Sequence, residues 1–215
     1  MKIKGLFFDF DGVIMDSMHL KLDAYCEALK RYQFKRTDID KLMRRYMGQS
    51  RKRILSFLVR DLSGIEWSKE EHREALDIFN RCDEASRSKM TFMPGSLDFL
   101  KKHTSFFYTA VVTGTPQYAI DKTIHHFQLT SYFDCVKGSP ETKVNILSKL
   151  LTTTGYAAQE CLFIGDGRTD QVAADAHNMP FVGMDNRASS FEPTTAWKVI
   201  ANLNELEPDI LPSRS

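Results

Sequence analysis

The chain has 215 residues, enough to bury one large core or two smaller ones, so one or two domains are expected. Hydrophobic residues make up 42% and charged residues 27%, which is globular composition, and no apolar run approaches the roughly 20 residues of a membrane span; no membrane partner is expected. A formal charge of +1 excludes the whole-chain electrostatic footprint of a nucleic-acid binder.

The first apolar run, Gly5 to Phe10, reads as a buried strand. It is too short for a signal-peptide core and runs straight into acidic residues, so a cytoplasmic location is expected. The interval 16–90 contains no strand-like run and reads as a helical insertion, with 3.6-residue periodicity over Met18–Tyr32, Arg51–Leu62 and Ser68–Ser88. Within it, Lys30 to Arg60 carries eleven Lys or Arg against Asp38 and Asp40. That run is either a solvated set of helix faces balanced by the acidic stretch Glu66–Glu84, or a positive rim that draws anionic substrates to a cleft. Pro94-Gly95 marks re-entry into a second region, where strand-like runs at Phe106–Thr113, Phe133–Lys137, Cys161–Gly165 and Phe181–Met184 alternate with helix-like stretches at Pro116–Gln128, Glu141–Thr154 and Thr169–Asn178.

This alternation predicts an α/β fold: a Rossmann-like, doubly wound parallel sheet formed by residues 1–15 and 91–215, with 16–90 inserted as a separate helical domain. The phenylalanines around Phe7, Phe8, Phe106 and Phe107 are expected in the core, and Glu207–Ser215 as a loose end. Cys26, Cys82, Cys135 and Cys161 lie far apart, with no CxxC pair and no histidine at zinc spacing, so reduced, buried thiols are expected.

Four polar groups follow apolar runs. Strand one ends in Asp9-Phe10-Asp11-Gly12, whose two acids share a face if the strand continues, while Gly12 permits a sharp turn. Val111-Val112-Thr113-Gly114-Thr115 ends another strand in hydroxyls, Gly138-Ser139-Pro140-Glu141-Thr142-Lys143 follows a third, and Gly165-Asp166-Gly167-Arg168-Thr169-Asp170 follows a fourth. Ligands of open α/β sheets bind at the carboxyl edge. Grouped carboxylates there call for a hard cation such as Mg²⁺, and a lysine and a hydroxyl beside it suit a phosphoryl group.

The order Asp9-x-Asp11-Gly12, Thr113, Lys143, Gly165-Asp166-x-x-x-Asp170 resembles the four motifs of the haloacid dehalogenase-like superfamily, over Leu6 to Asp170. The insertion resembles the helical cap of its phosphoglycolate phosphatase and β-phosphoglucomutase branch. About 30 positions separate Thr113 from Lys143, enough for one crossover and not for a second cap. The resemblance implies a Mg²⁺-dependent phosphatase acting on a small phosphorylated metabolite, as a monomer or homodimer. It implies Asp9 as nucleophile, Asp11 as acid and base, Mg²⁺ held by Asp9, the Asp11 carbonyl, Asp166 and Asp170, and phosphoryl oxygens held by Thr113, Gly114 and Lys143. The family's usual Lys-Pro pairing is absent: the proline, Pro140, precedes Lys143. Dehalogenases of the superfamily lack the second aspartate, so Asp11 favours phosphoryl transfer.

Other readings stay open. Thr113 can simply end a strand, Lys143 can be a surface helix residue, and Asp170 can serve a helix dipole; Asp175 is expected to be solvated. In the insertion, Gly48-Gln49-Ser50-Arg51 resembles the branch's loop facing the site, which makes Arg51 a candidate for a second anionic group of the substrate, against a plain N-cap at Ser50. His19 is a weaker substrate candidate. Gly165-Asp166-Gly167 lacks the third glycine of a dinucleotide fingerprint, so no NAD site is expected. Competing functions are a phosphomutase, whose cap histidine falls where this chain has Lys21, a receiver-like phosphoacceptor, whose motif order differs, and a nucleic-acid module on Lys30–Arg60, which has no recognition motif.

Overall fold

The computed structural model of the chain describes residues 2–186 and 189–210. The first apolar run forms β1 (Gly5–Phe8), buried at every position. Met15–Asp16 (β2), where the chain leaves the sheet, pairs antiparallel with Thr91–Phe92 (β3), where it returns. Between them lie α1 (Met18–Ala28), α2 (Arg36–Arg45), α3 (Arg51–Ser63) and α4 (Lys69–Ser86). Next come α5 (Ser96–His103), β4 (Tyr108–Pro116), α6 (Gln117–His126), β5 (Cys135–Ser139) and α7 (Lys143–Thr154). β6 (Cys161–Gly165), α8 (Arg168–Asp175), β7 (Phe181–Met184), β8 (Lys198–Ile200) and α9 (Glu207–Ile210) complete the order.

Six strands form one parallel sheet in the order β5-β4-β1-β6-β7-β8, so the α/β fold expected from the alternation is present. Because successive side chains of a strand point to opposite faces, β1 serves two cores. Leu6 and Phe8 pack with Val111, Ile164, Phe99 and Ile120, while Phe7 packs with Val112, Phe163, Leu147 and Ala173 on the other side. Covering both faces with helices is what makes near-continuous apolar strands stable in water. The four helices of the insertion have their own apolar cluster, including Tyr25, Met43, Leu55, Leu58 and Phe79. α1 meets α4 where the Tyr25 and Phe79 rings lie 4.4 Å apart. α4 starts at a capping box, in which the Glu71 N–H donates to Ser68 Oγ at 3.2 Å and the Ser68 N–H to Glu71 Oε2 at 2.9 Å.

Several expectations need correction. β4 begins at Tyr108, because Thr104–Phe106 forms a 3-10 turn that leaves Phe106 72% exposed. Phe7 and Phe8 are core and Phe107 is half-buried, but Phe106 is a surface residue. The expected loose end is partly helical: α9 is tied to α5 through the His103 and Glu207 side chains, 2.9 Å apart, while residues 211–215 lie outside the described residues. Of the four free cysteines, Cys161 is buried and the others half-buried. Among the described residues, no helix is long and apolar enough to cross a membrane.

Candidate active site

The strand register decides which residues meet. Phe8, the last residue of β1, pairs with Val111 of β4 on one side and Ile164 of β6 on the other. One or two residues beyond these partners stand Asp9, Thr113 and Asp166, all buried at the carboxyl edge of the sheet. Asp9 and Asp11 do come together, though not as alternate residues of one strand. β1 stops at Phe8 and the chain turns, with the Gly12 N–H donating to the Met15 carbonyl at 2.8 Å. Gly12 adopts φ +85°, and a Cβ there would lie 2.0 Å from Asp166 Oδ2, so the turn and the close approach both require glycine.

Lys143, the first residue of α7, is buried and ties two acids together. Its Nζ lies 2.9 Å from Asp9 Oδ2 and also bonds Asp170 Oδ1. Burial pulls its pKa down, but Asp170 and Asp9 more than offset this and hold the ammonium above its ordinary value. Asp170 combines the two roles read for it: its Oδ2 accepts the Gly167 N–H at 3.0 Å at the start of α8, and its other oxygen faces Lys143. Carboxylate oxygens of Asp9, Asp166 and Asp170 lie within 4.8 Å of one another. Burial, with repulsion from Asp9, raises Asp166 well above the usual carboxylate range, and burial raises Asp170 to about 7 despite Lys143. Three buried carboxylates sharing one ammonium leave an excess of negative charge in an all-oxygen donor set, which fits a hard divalent cation such as Mg²⁺.

Asp11 has different surroundings. Its Oδ1 accepts Ser17 Oγ at 2.5 Å, its Oδ2 accepts Thr115 Oγ1 at 2.8 Å, and Lys21 of α1 forms an ion pair with Oδ2. Burial pushes the Asp11 carboxyl up, but Lys21, aided by the Ser17 and Thr115 hydroxyls, reverses the balance and holds it below its ordinary value. Lys21 Nζ also lies 3.1 Å from Thr115 Oγ1, so one insertion residue touches two groups on the sheet edge.

The insertion roofs this edge. Asp9, Asp11 and Thr113 line the floor of a cavity of about 50 Å³, with Tyr25, Met43 and Phe79 above. The loop before α3 presses on the sheet domain: Thr169 Oγ1 donates to the Met47 carbonyl at 3.3 Å, and a Cβ on Gly48 would lie 1.5 Å from Thr169 Oγ1. Gly114 also lies beneath this loop, since a Cβ there would be 2.8 Å from the Gly48 carbonyl oxygen. Outside the loop, Arg45, Arg53 and Arg168 border a wider cleft. Part of the basic run is balanced by the acidic stretch, since Arg31 pairs with Glu71 at 3.2 Å and Arg51 with Asp83 at 3.0 Å.

Asp9, Asp11, Thr113, Gly114, Lys143, Asp166 and Asp170 thus converge. The two insertion candidates fare differently. Arg51 lines the cavity but is engaged by Asp83, by Asn80 Oδ1 at 2.8 Å and by the Phe79 ring at 4.9 Å, while Ser50 stands at the N-cap of α3 without a side-chain cap bond. The structure does not bring His19 to the cavity; it lies on the exposed side of α1, 3.5 Å from Asp16, bordering another groove. Asp175 is exposed, as expected. Ser17, Lys21, Thr115 and Asn186, whose side-chain amide donates to Asp166 Oδ2 at 2.9 Å, are the site groups that sequence reasoning did not assign. Only Thr115 carries a local signal, as a second hydroxyl at a strand end.

The sheet order, the clustered acids and the buried lysine define a doubly wound α/β protein with an acidic site at the carboxyl edge of its parallel sheet. Residues 6–184 match the family model described as haloacid dehalogenase-like hydrolase, and the chain belongs to that family. It is 27% identical to a phosphoglycolate phosphatase of Pseudomonas fluorescens strain Pf0-1, over 95% of this chain and 78% of that protein. Among solved structures it is similar to a predicted phosphoglycolate phosphatase from Haemophilus somnus (TM-score 0.83, 16% identity, 98% of this chain and 99% of that one). A haloacid dehalogenase-like hydrolase from Streptococcus pneumoniae gives a TM-score of 0.79 at 19% identity, covering 97% of this chain and 99% of that one.

Proposed function

We propose that the protein is a Mg²⁺-dependent phosphatase of small phosphorylated metabolites that works through an aspartyl phosphate on Asp9. The observation that carries this reading is the buried bridge from Lys143 to Asp9 and Asp170, because it joins nucleophile, phosphate ligand and metal-site acid in one cluster. A carboxylate oxygen of Asp9 attacks phosphorus, and the bond from phosphorus to the ester oxygen breaks while Asp11 gives that oxygen a proton. Asp11 then takes a proton from water, which attacks the same phosphorus and breaks the bond to Asp9, releasing inorganic phosphate. Thr113, the Gly114 N–H and Lys143 hold the phosphoryl oxygens in place throughout. Asp9, Asp166, Asp170 and the Asp11 carbonyl are the groups that would hold Mg²⁺, which supplies charge neutralisation for the phosphoryl group.

The ion pair with Lys21 favours the ionised form of Asp11, which suits the second step, where it takes a proton from water, and opposes the first, which it enters protonated. Since Lys21 belongs to the insertion, its position over the sheet affects the charge of Asp11, and residues 16–90 act as a cap. The relatives named phosphoglycolate phosphatase make phosphoglycolate the first substrate to test. Phosphate release from phosphoglycolate and a panel of sugar phosphates, with Mg²⁺ or EDTA, tests the proposal. Release is expected only with metal and is expected to fall roughly a thousandfold or more in Asp9→Asn. Metal-independent release, or an active Asp9→Asn protein, would refute it.

A further inference from the structure

Beyond β7, a segment returns to the sheet edge and touches the acid loop from behind. Asn186 Nδ2 donates to Asp166 Oδ2 at 2.9 Å and to the Gly12 carbonyl at 2.8 Å. The Ser190 N–H donates to the Asp166 carbonyl at 2.8 Å, and Ser190 Oγ accepts the Arg168 N–H at 3.2 Å. Asn186 and Ser190 thus hold the turn that carries Asp166, and Asn186 also holds the turn that follows Asp11.

The amide orientation follows from its partners: both are acceptors, and a primary amide has two N–H bonds to give them. Space is tight as well, since a Cβ on Gly12 would lie 2.0 Å from Asp166 Oδ2 and 3.1 Å from Asn186 Nδ2. A neutral double donor is the group this position needs. A carboxylate would repel Asp166, and a lysine would compete with a cation for it.

We infer that Asn186 is a positioning residue that fixes the carboxylate plane of Asp166 and ties it to the Gly12 turn, so that Asp166 is oriented to hold the divalent cation. This rests on the metal-site reading above. Groups that orient a metal ligand without touching the metal commonly change affinity by about 10- to 100-fold.

Metal binding read without substrate tests the inference, using Mn²⁺ followed by electron paramagnetic resonance, with Mg²⁺ as competitor. Asn186→Ala and the near-isosteric Asn186→Leu are compared with the wild type, and melting in EDTA reports the metal-free fold. Both variants are expected to bind Mn²⁺ and Mg²⁺ about 10-fold or more weakly, with metal-free melting close to the wild type. Unchanged affinity in either variant would overturn the inference; if Asn186→Leu alone retained affinity, the residue would merely fill space. Loss of the metal-free fold in both variants would also overturn it, making Asn186 a folding residue. If the wild type itself bound no divalent cation, the metal-site reading would fail too, whereas normal wild-type binding with unaffected variants would sink only the role of Asn186.

Discussion

Asp166 and Asp170 are fully buried, and each has a folded pKa raised above its ordinary value by burial. Protonation of such a group favours the fold, so its contribution is fully present below the unfolded value near 3.8 and is lost as pH rises through the folded value, about 7 for Asp170. Asp11 works in the opposite direction: its lowered pKa gives stability that is present above 3.8 and lost as pH falls through its folded value, outside the neutral window. In EDTA, the protein is therefore expected to melt at a higher temperature near about pH 5.5 than near about pH 8, and Mg²⁺ to raise melting more at the higher pH. Differential scanning fluorimetry measures both effects. A melting temperature in EDTA that rises between these pH values would contradict the charge balance drawn for the site.

At the scale of elements, the insertion is held together by more than apolar packing. Arg51 of α3 and Asp83 of α4 form a buried pair at 3.0 Å, with Arg51 also over the Phe79 ring. Removing one partner leaves the other buried and unpaired, so Asp83→Ala is expected to cost about 3 kcal/mol, read from urea unfolding. A loss below about 0.5 kcal/mol, the range of an ordinary surface change, would contradict this. β1, β6 and β7 were legible in the sequence as apolar runs, and α1, α3 and α4 as helical stretches. α2 was not: Ile39, Leu42 and Met43 stand at helical spacing, but they lie within the Lys30–Arg60 stretch that was read for its charge. β2, β3 and β8 have two or three residues each, too few for a period, and their pairing exists only once distant segments meet.

Across the whole molecule, the site was legible wherever chemistry and element coincide locally. Asp9, Thr113 and Asp166 each end an apolar run and were assigned, and the parallel register brings them together, while Lys143, also assigned, reaches them from the start of α7. Ser17 and Asn186 were not assigned, because they reach the site across tertiary boundaries and nothing beside them in the chain marks them; Lys21 was noted only as standing in place of the mutase branch's cap histidine, without its contact to Asp11. Arg51 was a substrate candidate because of the loop it follows, and its pairing with Asp83 was not legible because that acid lies on the next helix. The same assembly sets Lys21 against Asp11, so insertion and sheet edge form one chemical unit. The central claim is that this unit passes phosphate through Asp9. Its most direct test is acid quenching during turnover with a phosphomonoester and Mg²⁺, followed by peptide mass spectrometry. The account predicts a phosphorylated peptide with the group on Asp9, absent in EDTA; turnover with phosphate on another residue, or with no phosphoenzyme under conditions that preserve acyl phosphates, would contradict it.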